Sequence, residues 1–214
     1  MSLQLKNISI TLGHKFLIAP FTLEIGKGEI VTLMGPSGSG KSSLLSGLAG
    51  TLVAPLQIHG RAELNGHELF ALPPERRHVG RLFQDDLLFP HMTVGENLLF
   101  GMARGNRTQR LSEMRTALKE IELEGFDDRP PHTLSGGQRQ RVSLMRSLLA
   151  KPEAMLLDEP FSRLDTNLRS QIRSSTFELL KRRGTPTLLV THGAADVPEG
   201  GKVLRIEKGA VTHA

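Results

Sequence analysis

The run Gly35-Pro36-Ser37-Gly38-Ser39-Gly40-Lys41-Ser42-Ser43 has the residue types and spacing that hold a phosphate chain. Its first eight residues fit G-x-x-x-x-G-K-S. Glycines let the backbone wrap closely, so that successive amides form a nest for an anion. A helix opening at Lys41 points its positive end at the same place. Lys41 then reaches the β- and γ-phosphates, and Ser42 offers its hydroxyl to Mg²⁺. By itself such a loop predicts a nucleotide binder and no more, since kinases and GTPases also use phosphate cradles.

Two acids follow a second apolar run, Leu156-Leu157-Asp158-Glu159. In open α/β sheets the carboxyl ends of strands face the ligand, where the loop also sits. Asp158 suits the metal shell, commonly through water. Glu159 suits the general base that polarises the attacking water. Strand-ending acids are often only caps or ion-pair partners, so this pair takes its meaning from the loop.

Leu134-Ser135-Gly136-Gly137-Gln138, followed by Arg139-Gln140-Arg141, reads as a second anion site. Ser135 caps a helix, the two glycines expose amides, and the helix dipole faces outward. One nucleotide needs one cradle. A second cradle suggests a partner copy whose nucleotide this chain completes.

The elements that must position these groups follow from periodicity and breakers. Strands are expected at Leu3–Leu12, Phe21–Ile25, Ile30–Met34, His78–Phe83, Ala154–Leu157 and Thr187–Val190. The β-branched runs suit buried parallel strands. Hairpins are expected around Asn65-Gly66, within Arg61–Leu69, and around Lys208-Gly209, within Lys202–Val211. Helices are expected at Lys41–Ala49, at Leu111–Leu123, from Ser135 to about 150, and over about 167–183. Thr93 and Glu96 have capping-box spacing. Interleaved strands and helices predict an α/β core, formed by about 1–84 and 151–214, with a helical insert over about 85–150.

Composition narrows the function classes. With 214 residues, the chain is long enough to bury a core without staples. It contains no Cys, which removes disulfides and thiolate chemistry. No stretch approaches the roughly 20 apolar residues that span a bilayer, and no signal peptide is evident. Lys and Arg number 27 against 22 Asp and Glu, an excess compatible with anionic ligands. The absence of Trp and Tyr argues against single-strand recognition by base stacking, so no nucleic-acid partner is expected.

Taken together, these motifs resemble the ABC family of ATPases along essentially the whole chain. Gly35–Ser42 is similar to Walker A, Ala154–Glu159 to Walker B and Leu134–Gln138 to the signature. Gln84 resembles the Q-loop glutamine, Ser162-Arg163-Leu164-Asp165 the D-loop, and His192 the switch histidine. The resemblance implies a P-loop NTPase (RecA-like) core with an antiparallel β subdomain and an inserted α-helical subdomain. It implies catalysis by Glu159, His192 and Gln84, and Mg²⁺ held by Ser42, Asp158 and Gln84. It also implies a head-to-tail dimer, each ATP lying between Walker A of one copy and the signature of the other. His192 would hydrogen-bond the γ-phosphate, and Gln84 would link the core to the helical insert.

The chain departs from the family at the adenine position. The upstream aromatic residue is replaced by Leu12, and either Leu12 or Phe16 is left to pack on the base. Arg163 and Gly193 also replace commoner residues. The implied role is an ATP-hydrolysing transporter subunit, peripheral on the inner face of the cell membrane. It would work with a separate permease and, indirectly, a solute-binding protein. Phe83–Leu99 is the expected permease dock, although its Phe and Leu residues could equally form subdomain core. The segment Pro74–Gln84 resembles importers of small solutes and ions, in the thiamine, ferric iron, sulfate and polyamine group. A non-transport ABC ATPase of DNA repair or translation is the alternative. The repair type carries coiled-coil insertions and the translation type usually two cassettes, and neither feature is found here.

Overall fold

The computed structural model describes residues 1–162, 164 and 166–213, the side chains of 166–168 excepted. In chain order the strands are β1 (Leu3–Leu12), β2 (Lys15–Ile25), β3 (Ile30–Met34), β4 (Leu56–Leu64) and β5 (His67–Glu68). They continue with β6 (Val79–Leu82), β7 (Ala154–Asp158), β8 (Thr187–Thr191), β9 (Lys202–Glu207) and β10 (Ala210–His213). The helices are α1 (Lys41–Ala49), α2 (Val94–Gly101), α3 (Arg107–Glu120), α4 (Gly136–Leu149) and α5 (Thr166–Arg183).

Two compact units result. The first comprises residues 1–81, 153–159 and 177–214, the second 82–152 and 160–176. Sequence reasoning places 160–176 with the core, whereas in the structure they group with the helical unit.

The first unit holds two sheets. One is four-stranded, in the order β2-β1-β4-β5, with antiparallel neighbours. Its β4–β5 turn places Asn65 and Gly66 at φ 52° and 84°, a left-handed pair that Asn-Gly accommodates. β2 begins six residues earlier than periodicity predicts. Pro20 interrupts the apolar pattern there, and the β1–β2 register slips between the Ile8–Phe21 and Ile10–Ile18 pairs that flank it. An irregularity of this kind is where a strand tolerates proline.

The other sheet is six-stranded, in the order β10-β9-β3-β8-β7-β6. β3, β8 and β7 are parallel neighbours, and every residue of β7 and β8 is buried. Their register sets which strand ends coincide. Met34 pairs with Thr191 and Asp158 with Val190. The chain therefore leaves β3, β7 and β8 at one edge, so that Gly35, Glu159 and His192 emerge together. Leu33, Leu44, Leu45, Leu48, Leu156 and Leu188 belong to the apolar core that fixes α1 against this sheet.

In the second unit α2 packs on α4. Thr93 and Glu96 form the expected capping box. Asn97 is fully buried and satisfied: it accepts from Phe89 N–H and donates to the carbonyls of Met92 and Thr93. Arg146 donates to Asn97 Oδ1 at 3.2 Å and to the Leu87 carbonyl at 3.0 Å. Within the expected dock, Leu88, Val94 and Leu98 are core, whereas Phe83 and Leu87 are exposed. No helix among the described residues is long and apolar enough to cross a membrane.

Candidate functional site

Local chemistry shapes the loop between β3 and α1. Gly38 and Gly40 sit at φ 78° and 91°, where a side chain is strained. A Cβ on Gly40 would lie 3.2 Å from Ile18 and 3.5 Å from Leu17, so β2 passes close beside the loop. Gly40 is also the N-cap of α1, with no side chain capping it. Helices leave their first N–H groups unpaired; here no cap competes for them.

Lys41 is only 4% exposed. Its Nζ donates to the carbonyls of Gly35 and Pro36, at 2.8 Å each, curling the loop around the ammonium. Burial lowers its pKa from the ordinary lysine value, while Glu159 and Asp158 pull it back up. Ser42 is exposed and donates to Asp158 Oδ1 at 2.8 Å; Ser43 is half-buried. Ser37 and Gly38 are exposed, and Ser39 Oγ is buried without a partner inside the loop.

The acids follow from strand register. Asp158 closes β7 and is buried; its second oxygen meets Arg81 Nη2 at 2.9 Å. Glu159 N–H still bonds the Val190 carbonyl at 3.0 Å, yet its φ is 45°. That left-handed turn is uncommon for a non-glycine residue and collects at functional sites. Glu159 Oε2 lies 3.1 Å from His192 Nδ1. His192 in turn is braced from behind. Thr191 Oγ1 donates to the buried Asp196 carboxylate at 2.9 Å and accepts from Gly193 N–H at 3.1 Å.

Thus Gly35–Ser43, Asp158, Glu159 and His192, drawn from three strand ends, lie in one unit. Leu12 and Phe16 are both exposed near the β1–β2 turn of that unit. Sequence reasoning missed Arg81 and the Thr191–Asp196 brace. A lone charge inside the short strand Val79–Leu82 was the available signal for Arg81, because a charge in a half-buried strand needs a partner. The brace left none.

The second unit carries the remaining groups. Ser135 Oγ accepts from Gln138 N–H at 3.3 Å, and Gln138 Oε1 accepts from Ser135 N–H at 2.9 Å. Gly136 is exposed, while Leu134 and Gly137 are buried. Gln84 is exposed and lines a small cavity with Asp86, Gly136 and Arg139. Arg139 fastens that cavity, pairing with Asp86 at 2.7 Å and donating to the Leu134 carbonyl at 2.7 Å. Asp165 and Arg163 lie outside the described residues.

The family model described as "ABC transporter" matches residues 18–162. The chain belongs to the ABC transporter ATP-binding family. This member is 45% identical over 202 residues to the uncharacterised ABC transporter ATP-binding protein YnjD of Escherichia coli K12, spanning 93% of this chain and 92% of that one. It is 41% identical to a probable sulfate/thiosulfate import ATP-binding protein, CysA of Chlorella vulgaris, over 99% of this chain and 89% of that one. It is 43% identical to an Fe(3+) ions import ATP-binding protein, FbpC of Mesorhizobium japonicum, over 91% of this chain and only 54% of that one. A solved structure of the ADP conformation of MJ1267, an ATP-binding cassette of an ABC transporter, superposes with a TM-score of 0.85 at 25% identity. That match covers 99% of this chain and 90% of the other. As an ABC ATPase, the chain hydrolyses ATP, and the P-loop NTPase fold expected from its motifs is the fold it has.

Proposed function

We propose that this ATPase energises import of a small solute or ion through a separate permease, working as a head-to-tail dimer at the inner face of the membrane. The observation that carries the reading is the Glu159–His192 contact of 3.1 Å, beside Lys41 and Asp158 at one sheet edge. The import assignment is supported by relatives named for sulfate/thiosulfate, Fe(3+) and spermidine/putrescine import.

In this reading the uncapped start of α1 and the glycine amides of the loop bind the phosphates. Lys41 exchanges its two carbonyl partners for β- and γ-phosphate oxygens. Glu159, on its left-handed turn and in contact with His192, accepts the proton of the attacking water. His192 Nδ1 orients Glu159, and its exposed ring turns toward the γ-phosphate. Leu134–Gln138 of a second copy, with Asp165, would close the site from the other side. Gln84 would sense the γ-phosphate and pass its presence to the helical unit. Leu12 or Phe16 would meet the base.

Ser42 and Asp158 fit Mg²⁺: a hydroxyl and a carboxylate are hard oxygen donors, and they lie 2.8 Å apart. Among the described residues no group of three or more His, Cys, Asp or Glu could hold a metal alone. Phosphate oxygens and water would therefore complete the shell, as Mg²⁺ prefers. When bound, the ion neutralises charge on the β- and γ-phosphates.

Within the expected dock, the exposed Phe83 and Leu87 are the side chains that would meet a permease. The test of the catalytic assignment is Glu159→Gln. Turnover should fall about 10²- to 10⁴-fold while ATP is retained, and dimers should accumulate on size exclusion. A variant that hydrolyses normally as a monomer would refute both the base and the dimer.

A further inference from the structure

One charged group beside the site takes no part in binding or hydrolysis as proposed. Arg81 lies in the middle of β6, and its side chain and that of Asp158 are each 11% exposed. Nη2 donates to Asp158 Oδ2 at 2.9 Å, and Nη1 donates to Ser46 Oγ at 2.9 Å. Ser46 in turn donates to the Ser42 carbonyl at 2.8 Å, one turn back along α1. The other oxygen of Asp158 accepts from the Ser42 hydroxyl. Both oxygens of the metal-side carboxylate are thus engaged, one of them by a full positive charge.

A buried carboxylate without a counter-charge is costly, and the planar two-armed guanidinium suits a bridge between an acid and a hydroxyl. A divalent cation approaching Asp158 meets that guanidinium within a few ångströms, where like charges repel strongly in a half-buried setting. Nucleotide phosphates bring the negative charge that lets both cations remain.

We propose that Arg81 is a positioning residue that holds and neutralises the metal-side carboxylate of Asp158, and so makes metal entry depend on bound nucleotide. This rests on the assignment of Asp158 to the metal, and the experiment separates the two.

The affinity of the full chain for a non-hydrolysable ATP analogue is measured in excess EDTA, and in separate samples freed of EDTA the Mn²⁺ affinity of the analogue complex is measured by electron paramagnetic resonance. Arg81→Met and Arg81→Gln remove the charge, and Gln keeps a donor for Asp158 should Met fail to fold. Either should tighten Mn²⁺ binding about tenfold or more and allow measurable Mn²⁺ binding without nucleotide. Arg81→Lys retains the charge and should stay near wild type, which a merely structural role for the side chain would not predict. Neutral variants that fold, bind the analogue in EDTA and show wild-type or weaker Mn²⁺ affinity overturn the proposal. Asp158→Asn provides the control. If it keeps wild-type Mn²⁺ affinity, the metal assignment itself fails. If it loses Mn²⁺ while Arg81→Gln matches wild type, only the role of Arg81 fails.

Discussion

Two helix starts in this molecule are built oppositely. α1 opens at Gly40, left-handed and without a side-chain cap. α4 opens at Ser135 with a complete capping box. At α1 the first amides are left for a ligand, and the surrounding loop is bent around the Lys41 ammonium. At α4 the Ser135 hydroxyl accepts from the Gln138 N–H and the Gln138 side-chain oxygen accepts from the Ser135 N–H, so two of the first amides are satisfied without any ligand. The uncapped start is stable only because glycine geometry and the six-stranded sheet hold it. The capped start is stable locally and offers a nucleotide chiefly its exposed Gly136 and Ser135. The contrast fits a primary cradle and a completing one.

The largest test of this contrast is Lys41→Ala against Ser135→Ala. Lys41→Ala should weaken nucleotide binding about 10- to 100-fold, the value of charge-assisted bonds to phosphate, by fluorescence titration. Ser135→Ala should leave the affinity of a single subunit unchanged and lower turnover only where subunits pair. Equal losses of affinity would erase the distinction.

Next comes the backbone. Gly40→Ala should destabilise the fold by about 1–3 kcal/mol, because φ 91° is strained for alanine and its Cβ presses on Ile18. Gly136→Ala has no neighbour nearer than 3.9 Å and lies in the first turn of a helix. Its stability should change by no more than about 1 kcal/mol, toward stabilisation. Urea denaturation measures both.

Ser135→Ala should cost about 1 kcal/mol of stability through loss of the cap, seen as a lower melting temperature. No such cap exists at α1 to lose.

The smallest effect concerns pH. Burial lowers the Lys41 pKa in the folded chain, so between that lowered value and the ordinary lysine value the unfolded chain binds more protons. Stability relative to Lys41→Met should therefore rise with pH through that window. The cost of the buried charge is fully present below it. A flat difference in alkaline denaturation curves would remove desolvation as the cause.

Legibility differs in the same way between regions. The cradle loop, its flanking strand and α1 are readable because each depends on neighbours in the chain: glycine freedom, a β-branched run, a helix start. The same holds for the Thr93–Glu96 and Ser135–Gln138 boxes. Periodicity makes β2 too short because Pro20 breaks the pattern, and only pairing with β1 shows that the strand passes through it. Residues 160–176, expected with the core, group instead with the helical unit.

The sequence alone determined which residues could do the chemistry, because phosphate nests, caps and strand-ending acids are local patterns. Tertiary structure decided which of them meet. Strand order is not sequence order: β7 lies between β8 and β6, with β3 beyond β8. That arrangement sets Glu159 against His192 and Arg81 against Asp158. No local propensity specifies such neighbours. They follow from burying the apolar faces of parallel strands in a single register, which brings distant residues to the same edge.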